Sequence, residues 1–437
     1  MDYFNYLRGE LMVEDVPAAR LAEKHGTPLY VYSGRTILEH YRKIRDAFAS
    51  AGDLDHQPLI CYSIKANSNL SILKLMKDEG SGFDVVSGGE LVRALRVGAD
   101  PRKIVFAGVG KSDDEINLAL EKGILLFNVE SEAELENIDR LAGARKQVAQ
   151  IALRVNPDVD PQTHTYIATG KKETKFGVDL ERAKRILTKA VQLKNIRMSG
   201  LHVHIGSQIT KVDPYVETMN RIAGFLPEAR ALGAPIEWLD IGGGFGIWYK
   251  DKLARPVSEI AGAIVPILKK TGCKVLLEPG RFIVGNAGVL LTRVLYVKES
   301  GEKKFVICDA GMNDLIRPTL YSAYHRIWPV KTDPAHSGEV PDEEQWSGAA
   351  ATTDVVGPIC ESGDFFAKER RLPPLKRGDL VCVFSAGAYG YVMASNYNSH
   401  PRPCEVLVAG KEDQVVTKRE SMDDLLRNER VVSFSLT

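Results

Sequence analysis

LICYSIKANSNLSILKLMKDEGSGFDVVSGGELVRALRVG, residues 59–98, states one structural unit twice. Residues 59–64 form a short apolar run that reads as a strand, and in residues 70–77 Leu70, Leu73 and Met76 recur at helical spacing until Gly80 stops the pattern. Residues 83–86 then read as a second strand and 90–97 as a second helix, stopped by Gly98. The unit continues downstream. Residues 104–107 lead to Ser112-Asp-Asp-Glu115, in which the serine and glutamate side chains can satisfy first-turn amides, and that helix ends at Gly123. Residues 125–129 and Ser131-Glu-Ala-Glu134 repeat it, with a stop at Gly143. Four further strands are expected at 151–155, 200–205, 238–241 and 275–277, which makes eight. Eight strands alternating with helices predict an α/β fold whose parallel sheet closes into a (β/α)8 barrel; an open, doubly wound sheet is the alternative.

Past residue 285 the pattern changes. Residues 289–297, 305–308, 353–356, 380–384 and 405–408 read as strands with turn residues between them and little helical period, so a second, β-rich domain is expected. Residues 331–350, rich in Pro, Gly, Ser and acids, read as a surface excursion of that domain. A chain of 437 residues has room for both. Its 57 basic and 57 acidic side chains cancel, which argues against nucleic acid or an anionic membrane as the partner and leaves a small molecule as the default. The opening MDYFNYLRGELMVEDV lacks the basic-then-apolar order of a secretory signal, and no apolar run reaches the roughly 20 residues a membrane helix needs. Six scattered cysteines without a Cys-x-x-Cys pair indicate neither a disulfide framework nor a structural zinc site. A soluble protein of a reducing cytoplasm is expected.

In a barrel of this kind chemistry is carried at the C-terminal strand ends, and these ends are polar. Strand one runs into Tyr62-Ser-Ile-Lys65-Ala-Asn67. Lys65 could simply reach solvent, or its amine could be desolvated enough to form a Schiff base. Strand seven runs into Asp240-Ile-Gly-Gly-Gly-Phe-Gly246, whose exposed amides suit a phosphate, although the spacing is not that of a dinucleotide fingerprint and a tight turn would read the same. Strand eight ends in Glu278-Pro-Gly-Arg281, a carboxylate and a guanidinium at one rim that could hold a protonated ring nitrogen and an anion, or only each other. Strand six ends in His202-Val-His204, two residues on one face, which raises a metal site. Of nine histidines only these two lie at a predicted strand end, so further ligands are lacking and no metal is expected. Gly110-Lys-Ser112 resembles the tail of a phosphate loop, but Val105 stands where its first glycine is required.

Taken in order, these segments resemble the diaminopimelate decarboxylases, members of the fold-type III family that binds pyridoxal 5′-phosphate. The matching stretches include Tyr62-Ser-Ile-Lys65-Ala-Asn67, Phe83-Asp-Val-Val-Ser87-Gly-Gly-Glu90, Arg154-Val-Asn-Pro-Asp158, residues 164–170 with Lys175-Phe-Gly177, and His202-Val-His204-Ile-Gly-Ser-Gln208. They continue through Gly242-Gly-Gly244, Glu278-Pro-Gly-Arg281, Asp309-Ala-Gly-Met-Asn-Asp314, Arg317-Pro-Thr-Leu-Tyr321, Cys360-Glu-Ser-Gly-Asp364 and Ala386-Gly-Ala-Tyr389-Gly. The resemblance implies a pyridoxal-phosphate barrel over 35–285 and a β domain, of barrel or sandwich type, over 286–437 that also takes in residues 1–34. It implies decarboxylation of meso-2,6-diaminopimelate to L-lysine and carbon dioxide, the last step of lysine biosynthesis, in a homodimer whose active site is shared between subunits.

For the site residues the same resemblance implies the following roles. Lys65 holds the cofactor as a Schiff base, Glu278 keeps its ring nitrogen protonated, and His204 stacks on the ring face. Ser207, Gly243, Gly244, Gly280 and Arg281 receive the phosphate, with Asp84 and Arg154 in supporting positions and Tyr389 beside the cofactor. Cys360 is the acid that protonates the substrate carbon; a thiol of pKa about 8.5 can do so near neutrality, whereas a free cysteine is otherwise most often a buried small hydrophobe. Arg281, Arg317, Tyr321 and Tyr389 meet the substrate's far end, where Glu361 pairs with its ammonium. Ser322 and Arg326 depart from what often follows the Arg-Pro-x-Leu-Tyr motif and leave the rim of that pocket open. The readings to be separated from this one are a carboxynorspermidine, ornithine or arginine decarboxylase on the same scaffold, and a non-catalytic pyridoxal-phosphate-binding relative. An alanine racemase would need a second base opposite the lysine, which Cys360-Glu361 does not supply.

Overall fold

The computed structural model describes residues 2–52, 54–160, 175–250, 254–344 and 346–434. The stretch 164–170 that contributes to the family resemblance lies outside them. The chain forms two compact units, Thr36–Gly285 and a second made of Met1–Arg35 with Asn286–Thr437.

The first unit is a barrel of eight parallel strands: Leu59–Ser63, Gly82–Val85, Ile104–Phe106, Leu126–Val129, Ala149–Asn156, Ile196–His202, Trp238–Asp240 and Lys274–Leu277. Each pairs with its sequence neighbour, and the eighth returns to the first through Leu276↔Leu59 and Leu277↔Ile60, so no edge is left open. The two-residue strand Val178–Asp179 adds to strand five. The helices start where their capping residues dictate. Ser87 accepts from Glu90 N at 3.2 Å, Ser131 accepts from Glu134 N at 3.2 Å, and Ser112 with Glu115 closes the expected capping box. Gly123 ends that helix with φ 65°, a conformation glycine adopts without cost.

Inside the barrel, Cys61, Val105, Leu126, Ala152 and Leu276 pack into one buried cluster. Side chains two residues apart on a strand share a face. Two positions further toward the C-terminal end, on the same faces, stand Ser63, Asn128, Arg154 and Glu278, all buried. The interior therefore changes from apolar to polar within one pleat. In the strand register His202 lies beside both Arg154 and Asp240. Strand six corrects the sequence reading: it begins at Ile196 and ends at His202, so His204 stands on the following loop and not beside His202 on the strand. Likewise Lys65 sits on the 3-10 turn Ile64–Ala66 just after strand one.

The second unit is a β-rich domain. Its spine, Gly288–Ser300, pairs antiparallel with Lys303–Cys308, Leu380–Val383 and Leu29–Ser33. The N-terminal strand Leu29–Ser33 is buried along its whole length and also pairs in parallel with Cys404–Ala409. Ala351–Val356 and Phe365–Leu372 extend the sheet on one side and Glu412–Thr417 on the other. The described residues of 331–350 are irregular, with Gly338 bridging to Tyr6 and Val340 buried.

Candidate active site

Lys65 extends from its turn toward strand two, where its Nζ meets Asp84 Oδ2 at 2.9 Å. Ser63 Oγ donates to the same oxygen at 2.6 Å. Asp84 is fully buried, whereas 38% of the Lys65 side chain remains exposed. Burial, and after it the nearby Glu278, push the Asp84 carboxyl up; Lys65 and Ser63 pull against them. Asp84 Oδ1 has no hydrogen-bond partner among the described residues.

Strand eight aims Glu278 into a buried polar cluster. Its Oε1 accepts from Asn128 Nδ2 at 3.1 Å and its Oε2 from His202 Nε2 at 3.2 Å. Asp240 accepts from the same Asn128 nitrogen at 3.1 Å, accepts from Gly242 N at 2.9 Å, and is itself hydrogen-bonded to Glu278. Two buried carboxyls in hydrogen-bonding contact share one proton. Burial and then Glu278 push Asp240 far up. Burial opposes ionisation of Glu278 as well, yet His202, Lys65 and the Asp240 hydrogen bond hold it far below the usual carboxylate range. The proton sits on Asp240 and the charge on Glu278.

His202, Asp240 and Glu278 bring one ligand atom each within 4.8 Å of the others. The reason given from sequence for setting a metal aside, the lack of partners at other strand ends, therefore fails, because strands seven and eight supply two carboxyls. What bears on the cluster is instead that its polar atoms already serve one another and Asn128 and Gly242, hydrogen bonds that a cation would have to displace. His204 is not part of it. Its Nδ1 accepts from Gly243 N at 3.3 Å, and burial, then Arg154 and Lys65, push its pKa down to about 3, so the ring is neutral.

The glycine run after strand seven is pressed against backbone. A Cβ on Gly242, at φ 67°, would lie 2.6 Å from the Val203 carbonyl oxygen, and one on Gly243 would collide with the carbonyl of Glu278. Gly280 is nearly as tight, 3.0 Å from Ala66 Cβ. Arg281, buried, donates through Nε and Nη2 to Ser207 Oγ at 3.2 and 3.1 Å, and through Nη1 to Tyr249 Oη at 2.8 Å. Arg154 is held by both oxygens of Glu130 at 3.2 Å and lies over the Phe176 ring, with its Nε lacking a hydrogen-bond partner among the described residues. The barrel thus gathers Lys65, Asp84, Arg154, His204, Ser207, Gly243, Gly244, Glu278, Gly280 and Arg281 at the C-terminal ends of its strands.

The second unit carries Arg317, Tyr321, Cys360, Glu361 and Tyr389. Arg317 opens the short helix Arg317–Tyr321, which Thr319 Oγ1 ties to Gly363 O at 2.6 Å, beside the Cys360 turn. Asp364 shapes that turn by accepting from Ile359 N and Met312 N, both at 2.7 Å. Cys360 N donates to Asn398 Oδ1 at 2.8 Å. Cys360 is exposed whereas Cys61, Cys308, Cys382 and Cys404 are buried, which removes the small-hydrophobe reading for this cysteine. Glu361 is exposed, with Tyr397 Oη 3.5 Å from its carboxylate, and Tyr389 is partly buried at φ 55°. Ser322 ends the Arg317 helix at φ 51°, and Arg326 Nη1 donates to Val340 O at 3.3 Å, which ties it to the 331–350 excursion.

Asn128, Asp240 and Glu130 in the barrel, and His325 and Asp364 in the β domain, were given no role from sequence. Face parity could have flagged Asn128, two positions after the core residue Leu126. The others are single polar residues that no repeat or face pattern marks out.

The family model described as "Pyridoxal-dependent decarboxylase, pyridoxal binding domain" matches residues 35–285. A diaminopimelate decarboxylase of Aquifex aeolicus is 45% identical over 422 residues, covering 96% of each chain. The crystal structure of diaminopimelate decarboxylase from M. jannaschii in co-complex with L-lysine superposes with a TM-score of 0.90 at 37% identity, covering 98% of both chains. That from Helicobacter pylori complexed with L-lysine gives 0.86 at 40% identity over 94% of this chain and 98% of the other.

Proposed function

This chain belongs to the pyridoxal-dependent decarboxylases, in the family of the diaminopimelate decarboxylases, and on that premise we propose that it removes one carboxyl group of meso-2,6-diaminopimelate to give L-lysine and carbon dioxide. The observation that carries the reading is the pair of opposed groups at the barrel mouth: an amine on Lys65 held by a buried carboxylate, and a carboxylate on Glu278 kept ionised by the groups around it.

The residues present fit pyridoxal 5′-phosphate. Gly243 and Gly244 have backbone where side chains would stand, Asp84 Oδ1 is a buried oxygen in want of a donor, and Glu278 is an anion prepared for a cationic nitrogen. When bound, the cofactor supplies an aldehyde for an amine and an electron-withdrawing ring that takes up the electron pair left when carbon dioxide departs. Lys65 is the amine that would hold it, and Asp84 fixes where that amine points. Glu278 would keep a proton on the ring nitrogen; an uncharged carboxyl there could not, and Asp240 spares Glu278 that state by carrying the shared proton itself. His204, neutral and fixed by the Gly243 amide, offers an uncharged flat face. Ser207, Gly243, Gly244, Gly280 and Arg281 would receive the phosphate.

Arg317, Tyr321 and Arg281, with Tyr389 nearby, bind the carboxylate at the retained end of the substrate, and Glu361 its ammonium. Ornithine has no carboxylate at that end and forgoes these charge-assisted contacts, so it is a poor substrate. Cys360 gives its Sγ proton to the carbon that has lost carbon dioxide, so that a C–H bond replaces the broken C–C bond. The working form is a homodimer in the cytoplasm with a site built from both subunits. The family resemblance supports this, and no helix of the described residues is long and apolar enough to cross a membrane.

The test is turnover. Purified protein with pyridoxal 5′-phosphate and meso-diaminopimelate yields one lysine per carbon dioxide, while ornithine, arginine and carboxynorspermidine are turned over far more slowly. No lysine from diaminopimelate, or faster turnover of one of the others, overturns the reading; a single-subunit mass in size-exclusion chromatography overturns the dimer.

A further inference from the structure

Behind Arg317 stands a histidine to which no role has been assigned. His325 is completely buried, on the short connection between the Arg317–Tyr321 helix and the strand Ile327–Pro329. Its Nε2 lies 3.0 Å from Arg317 Nη1 and its Nδ1 2.8 Å from the carbonyl oxygen of Phe384. These two partners settle its protonation. A guanidinium can only donate, so Nε2 carries a lone pair; a carbonyl can only accept, so Nδ1 carries the proton. The imidazole is neutral, in one tautomer.

The frame behind it is hydrogen-bonded backbone. Phe384 follows the strand Leu380–Val383, which pairs with Ile327–Pro329, and Phe384 N donates to Arg326 O at 2.8 Å. Phe384 therefore grips the connection twice, its N–H bonded to the Arg326 carbonyl and its own carbonyl to His325. The imidazole passes that fixed position on to one arm of the guanidinium. A neutral acceptor has a second consequence: a carboxylate at this place would restrain Arg317 and also cancel its charge, whereas the imidazole restrains it and leaves the charge intact for an anion.

We propose that His325 is a positioning residue that orients the Arg317 guanidinium toward the carboxylate at the retained end of the substrate, and so sets the preference for amino acids over plain diamines. This rests on the substrate reading given above. On this assignment His325 acts through Arg317.

The test compares His325→Leu and His325→Gln with the wild-type holoenzyme. It measures kcat and KM for meso-diaminopimelate, and inhibition by L-lysine and by cadaverine, which lacks the carboxylate. Loss of one hydrogen bond to a charged group corresponds to a change on the order of tenfold or more. The expected result for His325→Leu is a rise of that size in KM and in the lysine inhibition constant, with kcat, cadaverine inhibition and cofactor content within about twofold of wild type. His325→Gln, which can again accept at one end and donate at the other, recovers most of the lysine affinity, and in an Arg317→Met background the His325→Leu effect disappears. Equal weakening of lysine and cadaverine, a fall in kcat alone, or unchanged lysine affinity overturns the assignment while leaving the function standing. Wild-type protein that makes no lysine overturns both.

Discussion

The proton between Asp240 and Glu278 can be tested by two substitutions at one position. Asp240 accepts from Gly242 N at 2.9 Å and from Asn128 Nδ2 at 3.1 Å, and it donates its own proton to Glu278. Asp240→Ala leaves the Gly242 amide without that acceptor, at roughly 1–3 kcal/mol, and deprives a buried carboxylate of a donor, at roughly 1.5–3 kcal/mol. The combined loss is about 2.5–6 kcal/mol, a large part of the stability of a typical domain. Asp240→Asn keeps the shape, an oxygen for Gly242 and an N–H for Glu278; only the Asn128 contact becomes donor against donor, so its cost is about 1 kcal/mol. Urea unfolding followed by the fluorescence of Trp238, two residues away on the same strand, reads both. The expected order is wild type, then Asn close behind, then Ala far below. If Asn destabilises as much as Ala, then Asp240 is charged in the fold and the assignment of the shared proton is wrong.

Three further outcomes follow from other parts of the structure. Burial raises the Asp314 carboxyl to about 7, above its unfolded value of about 3.9, so the native state binds the extra proton: its contribution to stability is present below about pH 4 and is lost as pH rises to about 7. Asp314→Asn therefore gains on wild type with rising pH, by up to roughly 4 kcal/mol at pH 8, and parallel unfolding curves at pH 5 and pH 8 would refute this. Gly243→Ala drives a Cβ into the Glu278 carbonyl and should weaken cofactor binding by roughly five- to 150-fold, on an overpacking cost of about 1–3 kcal/mol; titration with pyridoxal 5′-phosphate checks it, and unchanged affinity counts against the cradle. Cys360→Ala should lower turnover by about 10²- to 10⁴-fold and leave cofactor absorbance unchanged, whereas full turnover means another group supplies the proton.

The barrel was legible in the sequence because its strands are buried on both faces and its helices are capped and stopped by Ser, Glu and Gly at regular intervals. The β domain was legible only in its interior. Phe365–Leu372 carries Lys368, Glu369, Arg370 and Arg371, and Glu412–Thr417 is almost wholly solvent-facing, so neither shows the apolar alternation that marks a strand buried on one side. The observed strand six ends three residues before the expected one, because Val203 and Ile205 continue the apolar run after the pairing has ceased, which put His202 and His204 on one face when only His202 points into the barrel cluster. Lys65 and Glu278 were conspicuous as charges on apolar strands. The residues that hold Glu278 were not: Asn128 and Asp240 reach it from 150 and 38 positions away, at distances that no local pattern encodes.

The most direct measurement is where the cofactor is attached. Protein loaded with pyridoxal 5′-phosphate is reduced with borohydride, digested and mapped by mass spectrometry, alongside a Lys65→Ala variant. The account predicts a phosphopyridoxyl group on the peptide bearing Lys65, and a variant without stable label or lysine production. Label on a different lysine, or a Lys65→Ala variant that decarboxylates diaminopimelate at the wild-type rate, contradicts it.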